Sequence, residues 1–268
     1  MTSNVDNLIH FLARAEKASP TKQLDIFTQI IEQGLRTART EIKYSDGAYI
    51  HNQVICFTDI PLRDCDEHTS IYGKFGIGFK KSFVKRVGGN PARYFLNYHP
   101  GQIGQISESR GVLFNELSDQ LKFIRLLDGN TNLTASDQDG NVVLSSANLK
   151  ALRDSLVLSF SFDKEMGDLG PARDGTKEND LYYREREWRI VPSSFSIGSG
   201  IAIAEPNSDR YLFRFERKDA NVVVVPNEDI RRLVLKYFIK LKEHTDERLR
   251  HFGENPLPII NYDDLHQW

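Results

Sequence analysis

The sequence has only two cysteines among its 268 residues, Cys56 and Cys65. Two cysteines are too few for a disulfide framework, and no cysteines and histidines in the chain have the spacing of zinc ligands. We therefore expect no metal site, and we expect the reducing environment of the cytoplasm. Cys56 lies in an apolar run, which predicts a buried thiol.

The sequence also lacks a strong excess of charge and any long apolar run. The net charge is −2 and the sequence pI is about 6.4, which does not indicate a globally basic nucleic-acid-binding protein. No apolar run reaches the length of a membrane span, and the first residues do not combine a basic segment with an apolar stretch. We expect no membrane association. A composition of 40% apolar and 27% charged residues is typical of a globular protein.

Several catalytic motifs are absent from the chain. There is no G-x-S-x-G elbow, no P-loop, no H-E-x-x-H and no kinase signature. The glycines of residues 72–79 follow the order G-x-x-G-x-G, which differs from the dinucleotide-binding fingerprint. The common hydrolase, NTPase, metalloprotease and Rossmann classes therefore have no support.

Helix and strand patterns alternate irregularly along the sequence. Apolar residues at helical spacing between Pro20 and Gly34 predict a helix. Residues 5–17 suit a strand that leads into a helix. Further strands are predicted at residues 52–60, 71–79, 92–98, 156–162, 181–191, 211–216 and 221–225. Further helices are predicted at residues 80–86 and 110–127, and a helix or a strand at 230–241. This mixture predicts a single α+β domain over residues 1–268, with a flexible polar loop near 163–180.

The predicted strand at residues 181–191 is rich in charge. Side chains two residues apart share a face of a strand, so Glu185, Glu187 and Arg189 are expected on one face and Trp188 on the other. Neighbouring carboxylates repel one another unless a cation or a substrate lies between them. A solvated face with arginine counter-charges is one interpretation. A functional pair of carboxylates is the other.

The segment at residues 72–79 interleaves aromatic and apolar side chains with glycine. Glycine at this density in a strand indicates a bulge, or another group that approaches the backbone closely. In one interpretation Tyr72 or Phe75 stacks on a planar ring of a ligand. In the other, these aromatic side chains belong to a packed core.

His10 and two basic runs are weaker candidates for functional residues. His10 lies in the first predicted strand, and a lone histidine is more often structural than catalytic. Basic runs at residues 80–86 and 236–242 have the charge to meet phosphates, although a solvated helix face is favoured for the second run.

Taken in order, these segments resemble the AbiGi family of abortive-infection proteins in phage defence. The resemblance is carried by residues 56–62 (CFTDIPL), 72–81 (YGKFGIGFKK), 90–94, 182–190 (YYREREWRI) and 258–261 (PIIN). The family is often labelled the antitoxin half of a two-gene system. The resemblance implies a cytoplasmic phage-defence protein with a toxin or an antitoxin as its partner.

A remoter resemblance is to the DarT-like ADP-ribosyltransferases. It is carried by His10-Phe11, the helix that follows, its Glu-Gln-Gly-Leu ending at residues 32–35 and the late E-x-E strand. It implies an ADP-ribosyltransferase-like split mixed β-sheet with flanking helices, with NAD as the substrate and no metal. The chain would then transfer ADP-ribose to a macromolecular acceptor, with nucleic acid as one candidate.

The remoter resemblance also implies roles for single residues in NAD binding. His10 would hydrogen-bond the nicotinamide ribose. Tyr72 would stack on the nicotinamide ring, with Phe75 or Tyr94 as the alternatives.

The same remoter resemblance implies that catalysis lies in the charged strand. Glu187 would hold the ribose 2′-hydroxyl and stabilise the developing oxocarbenium cation. Glu185 would orient or deprotonate the acceptor, and Arg189 would join the NAD site. The alternative function is that of a non-catalytic AbiGi antitoxin, which binds and neutralises a partner toxin.

Overall fold

The structure is a computed structural model. It describes residues 6–12, 19–43, 49–97, 119, 134–136, 138–167 and 186–266. The chain divides into two compact units. The first comprises the described residues of Met1–Arg39, Gln53–Pro91 and Arg184–Trp268, and the second comprises those of Thr40–Asn52 and Ala92–Tyr183. The single domain expected from the sequence stays a prediction.

The described residues form short strands and helices in a mixed order. The strands are β1 (Asn7–Phe11), β2 (Leu35–Arg36), β3 (Ala38–Lys43), β4 (Tyr49–Thr58), β5 (Gly76–Lys80), β6 (Asn90–Pro91), β7 (Arg93–Asn97), β8 (Thr134–Ser136), β9 (Val142–Ser145), β10 (Asp163–Gly167), β11 (Glu187–Ile190), β12 (Ala202–Ala204), β13 (Tyr211–Phe213), β14 (Ala220–Val225) and β15 (Ile259–Asn261). The helices are α1 (Pro20–Gln33), α2 (Asp66–Tyr72), α3 (Lys81–Arg86), α4 (Ser146–Phe160), α5 (Ser194–Gly198), α6 (Glu228–Leu241) and α7 (Glu247–Glu254). Three 3₁₀ turns occupy Leu62–Asp64, Arg217–Asp219 and Tyr262–His266.

The largest sheet has the order β15-β14-β5-β1-β4-β11-β6, and β3 pairs with β4 off this path. Strands β14 and β15 are parallel, whereas β14–β5, β5–β1, β1–β4, β4–β11 and β11–β6 are antiparallel. Helices flank this mixed sheet. The α+β class predicted from the sequence is therefore confirmed.

One face of this sheet carries the main hydrophobic core of the first unit. Leu8, Phe57 and Phe79 point into this core from three neighbouring strands, and each is at most 3% exposed. Phe27 of α1 stacks on Phe75 at a centroid distance of 5.5 Å and meets Phe238 of α6 edge-on at 5.9 Å. Buried aromatic side chains thus join the sheet to two helices.

Helix α1 shows how local sequence sets the bounds of an element. The hydroxyl of Ser19 accepts a hydrogen bond from the backbone N–H of Lys22, and Pro20 occupies the first turn. Gly34 ends the helix at a φ of 109°, where a Cβ would lie 2.6 Å from the carbonyl oxygen of Phe213. The bounds predicted for this helix are therefore confirmed.

The other face of the sheet bears a smaller cluster. Cys65, Val224 and Tyr262 are buried there, and Phe11 packs against them. The Tyr262 hydroxyl donates to the Asp66 carboxylate at 2.9 Å, which ties the last 3₁₀ turn to α2. The prediction of a buried thiol is wrong for Cys56, which is exposed, and holds for Cys65 instead. Cys56 is exposed because it lies on this less fully covered face, whereas Cys65 is in the cluster.

The glycines of β5 make room for side chains of the neighbouring strands. A Cβ on Gly78 would lie 2.5 Å from Cγ1 of Val222 and 3.2 Å from Cδ1 of Ile9. The pairing of β14 with β5 also shifts register between Ala220 and Val222. The extra residue at this shift, Asn221, belongs to β14, so of the two predicted alternatives the close approach is the one confirmed for this segment.

The second unit contains parallel pairing of β7 with β10 and antiparallel pairing of β8 with β9. Helix α4 begins at a Ser145 cap, whose hydroxyl accepts from the N–H of Asn148, and it continues to Phe160. The predicted strand at 156–162 is therefore wrong. A short apolar run does not distinguish a strand from one turn of a partly buried helix, and the polar residues before 156 extend the helix.

Two other predicted segments need correction, and a third lies almost wholly outside the described residues. Tyr72 ends a helix instead of opening a strand, because Gly73 turns the chain at a φ of 82° and the strand begins only at Gly76. Residues 163–167 form β10 instead of a loop, while 168–180 lie outside the described residues. Apart from residue 119, the helix predicted at 110–127 also lies outside them.

In the ranges that the structure describes, we find no helix whose length and hydropathy would let it cross a bilayer.

Candidate functional site

His10 is held in the middle of β1 by contacts with β4. Its Nδ1 donates a hydrogen bond to the carbonyl oxygen of Cys56 at 2.8 Å, and its ring lies 5.5 Å from that of Phe57. Burial lowers the pKa of His10, although the hydrogen bond to Cys56 opposes this effect. His10 is therefore neutral near pH 7, with its Nδ1 occupied by the protein backbone.

Glu187 and Arg189 form a buried ion pair on β11. Arg189 Nε donates to Glu187 Oε1 at 2.9 Å and its Nη2 donates to Oε2 at 3.3 Å, and both side chains are about 8% exposed. The two residues share a face because they are two apart on a strand, as predicted. Arg189 is a counter-charge of Glu187, as one interpretation predicted, but the prediction that this face is solvated is wrong for the pair, because both side chains are buried.

The strand register separates His10 from Glu187. Ile9 and Glu187 both pair directly with Thr58 of β4, so these three side chains point to one face of the sheet. His10 follows Ile9 and therefore points to the opposite face, where its ring meets Phe57. The structure does not bring His10 and Glu187 together in one cleft.

The two aromatic candidates also lie apart. Phe75 is fully buried against Phe27, which favours the interpretation of a packed core and leaves no ring face for a ligand. Tyr72 lies at the end of α2 and is half-buried, and its ring is 4.5 Å from that of His68. The His68 ring is in turn 5.2 Å from Phe11, which shares the sheet face of Ile9.

The segment before β11 holds the remaining candidate. Glu185 lies outside the described residues. Arg186 has a positive φ of 41°, and its carbonyl oxygen accepts a hydrogen bond from the N–H of Asp59 at 3.2 Å. A regular strand does not contain a positive φ, so the strict alternation predicted for residues 181–191 is interrupted at Arg186.

The sheet face of Glu187 also carries a cleft that the sequence did not reveal. The cleft has a volume of 380 Å³, and Ile9, Val222 and Ile260 contribute apolar side chains to it. Asn7 and Asn221 line one part of it, where the Asn221 amide donates to the Asn7 side-chain oxygen. In the sequence, only the glycines at residues 76 and 78 gave an indication of this region. They indicated that another group approaches the backbone closely, but they did not identify that group.

The row of paired residues Val222–Gly78–Ile9–Thr58–Glu187 crosses five strands on this face. Adjacent strands lie about 4.8 Å apart, so Glu187 lies roughly 10 Å from the Ile9 wall of the cleft. The face thus combines an apolar cleft with a carboxylate that an arginine already neutralises.

The two basic runs differ in their surroundings. In the first run, Lys81 pairs with Asp59 at 2.8 Å and Arg86 pairs with Asp219 at 2.8 Å. In the second run, Lys236 and Lys240 are exposed on α6. Among the residues that the structure describes, no cluster of three or more histidine, cysteine or acidic side chains is arranged to hold a metal ion.

Comparison with models of protein families identifies a match. The model of a family described as "Putative abortive phage resistance protein AbiGi, antitoxin" matches residues 37–231, which is more than half of the chain. No curated protein and no solved structure matches the chain. The resemblance to the fold of the ADP-ribosyltransferases therefore stays a prediction.

Proposed function

The chain belongs to the AbiGi family of abortive phage resistance proteins, and we propose that it is an antitoxin that neutralises a partner toxin by binding it. Abortive infection limits a phage by arresting the infected cell, so the toxin must be restrained until infection. A restraining protein needs a stable fold and an accessible surface. It does not need a catalytic centre.

The state of Glu187 is the observation that carries this proposal. The carboxylate is buried and accepts two hydrogen bonds from Arg189, so its negative charge is already balanced. A carboxylate that stabilises an oxocarbenium cation has to direct its charge at the substrate. The pairing of Glu187 with Arg189 supports a structural role for this strand, and His10 lies on the other face.

Co-expression tests the proposed function. The product of the gene next to the one that encodes this chain is the candidate toxin; it is induced in bacterial cells with and without the chain, and growth is followed. We expect the toxin alone to arrest growth, the chain alone to have no effect, and the two together to allow growth. Growth arrest by the chain alone would overturn the proposal, because it would identify this chain as the toxic component.

An NAD site is the second candidate function. Phe11 shares the sheet face of Glu187, and its ring begins a line of rings that continues through His68 to Tyr72. An aromatic ring and a carboxylate on one face are two parts that an ADP-ribosyltransferase would need, even without His10. This candidate requires transfer of ADP-ribose from NAD to an acceptor, which the antitoxin proposal does not.

A further inference from the structure

Helix α6 presents an apolar stripe to solvent. Leu235 is 39% exposed and Ile239 is 62% exposed, and the two lie one helical turn apart. The adjoining face of the same helix is buried in the core through Val234 and Phe238, which immediately precede the two exposed residues. The packing of the buried face therefore fixes the position of the helix, and the stripe is exposed to solvent on its surface.

Basic side chains flank this stripe. Arg232, Lys236 and Lys240 recur every four residues and form a row beside Leu235 and Ile239. Among the described residues Lys236 and Lys240 form no ion pair, and both are exposed.

The charge at the start of the helix is balanced. Glu228 pairs with Arg231 at 3.1 Å and with Arg232 at 3.5 Å. Among the described residues, the positive charges of Lys236 in the third turn and Lys240 in the last turn have no such pair, on a chain whose net charge is −2.

We propose that this face of α6 is the docking surface for an acidic amphipathic segment of the partner toxin, an inference that rests on the proposed antitoxin function. Leu235 and Ile239 would receive apolar side chains of that segment, and Lys236 and Lys240 would pair with carboxylates beside them. Apolar side chains at helical spacing are the usual anchors for such a segment. Complementary charge on the two surfaces sets the orientation in which the segment binds and raises its rate of association.

The chemistry of the stripe favours a protein over nucleic acid or a membrane. Leu235 and Ile239 occupy its centre, and aliphatic side chains neither pair with phosphates nor provide the aromatic surface on which bases stack. Membrane-surface helices insert a whole apolar face, whereas the larger apolar face of α6 is already packed in the core. A folded partner with matching apolar and acidic groups satisfies both features.

The test uses the full chain and the purified toxin, with affinity and association rate measured at low and moderate salt. We expect Leu235→Glu combined with Ile239→Glu to weaken binding by about 100-fold or more. We expect Lys236→Glu combined with Lys240→Glu to slow association by about 10-fold and to reduce its dependence on salt. All four side chains are exposed, so the melting temperature is expected to stay that of the unmodified chain.

Two controls separate this surface from apolar exposure elsewhere. Leu152 is 48% exposed on α4, and Leu152→Glu is expected to bind as the unmodified chain does. Phe195 is 73% exposed on α5 and is the rival apolar surface. Loss of binding in Phe195→Glu, with binding retained in the Leu235 and Ile239 variant, would overturn the proposal.

Three further outcomes would overturn either the docking surface or the proposed antitoxin function. If the chain binds vesicles of anionic phospholipid or duplex DNA, and the α6 variants abolish that binding but not toxin binding, the surface belongs to a membrane or a nucleic acid and the proposal fails. If the chain relieves growth arrest and binds toxin, but the α6 variants do so equally well, only the docking surface fails. If the chain neither relieves arrest nor binds toxin, the proposed function fails with it.

Discussion

Glu187 and Ile9 both pair with Thr58, and this register places Glu187 on the face of the sheet opposite to His10. The separation is a property of the backbone and does not depend on a rotamer. A one-residue slip in the pairing of β1 with β4 would be needed to bring His10 to the face of Glu187, and it would also expose core residues such as Leu8. The strand pairing therefore argues against one NAD site built from both residues.

The first prediction concerns NAD. When the chain is incubated with labelled NAD and a bacterial lysate, we expect no label on protein or nucleic acid, because Arg189 already occupies the Glu187 carboxylate. Autoradiography of the separated products measures the outcome. Label that depends on Glu187, absent in Glu187→Gln but present in His10→Gln, would instead establish the second candidate function.

The second prediction concerns the stability of the ion pair. Glu187→Ala leaves the buried guanidinium of Arg189 without its carboxylate, and such a loss typically costs about 3–5 kcal/mol. We expect the urea midpoint to fall accordingly. The double replacement Glu187→Leu with Arg189→Met removes both charges and is expected to recover most of the loss.

An exposed ion pair serves as the control for this prediction. Glu216 and Lys218 approach to 2.7 Å, and both side chains are largely exposed. Lys218→Ala is expected to leave the urea midpoint unchanged, because solvent screens such pairs. Equal effects of Lys218→Ala and Glu187→Ala would show that burial does not distinguish the two pairs.

The sequence predicted the elements that local features define. Helix α1 has a serine cap, an early proline and a terminal glycine, and each fixes the backbone within a few residues. Strand β4 is an apolar run that ends before Pro61, as predicted. The run at 156–162 was predicted wrongly because its apolar pattern is short and the start of α4 lies ten residues earlier, at Ser146.

The candidate site was harder to predict because it depends on pairing between distant strands. The sequence indicates that Glu187 and Arg189 share a face, since that follows from alternation within one strand. It does not indicate whether His10 and Glu187 lie on the same face. That depends on how Thr58 pairs with Ile9, which is 49 positions away in the sequence, and with Glu187, which is 129 positions away. Nor does it show that Arg189 would be the partner that occupies Glu187.

The third prediction concerns the close approach over β5. Gly78→Ala places a methyl group 2.5 Å from Val222 and 3.2 Å from Ile9, and both of these side chains are buried. Overpacking of this kind costs about 1–3 kcal/mol, so we expect a lower urea midpoint. At Gly198 a methyl group would have no neighbour within 4 Å and the φ is not positive, so Gly198→Ala is expected to change stability by less than about 0.5 kcal/mol. An unchanged midpoint for Gly78→Ala would contradict the tight packing.

The fourth prediction concerns the two thiols. Cys56 is exposed, whereas Cys65 is buried and donates to the carbonyl oxygen of Pro61 at 3.3 Å. A thiol reagent is therefore expected to modify about one cysteine in the folded chain and both in urea. Rapid modification of both cysteines in the folded chain would show that Cys65 is accessible.

The state of Cys65 also predicts a dependence of stability on pH. Burial, with the nearby carboxylates of Asp64 and Asp66, raises the pKa of Cys65 from 9.0 to about 12. The unfolded chain loses this proton at lower pH than the folded chain does, so the unfolded state becomes relatively more favourable above pH 9. The contribution of the neutral thiol is fully present below pH 9 and is lost as the pH rises towards 12.

Urea unfolding at pH 7, 9 and 10.5 measures this effect. We expect the stability of the unmodified chain to fall between pH 9 and 10.5. Burial also raises the pKa values of Tyr237 and Tyr262, so part of the fall has another origin. Cys65→Ala keeps both tyrosines and removes the thiol, so its stability is expected to fall less steeply over the same range. Parallel curves for the two chains would mean that Cys65 ionises as easily in the folded chain as in the unfolded one.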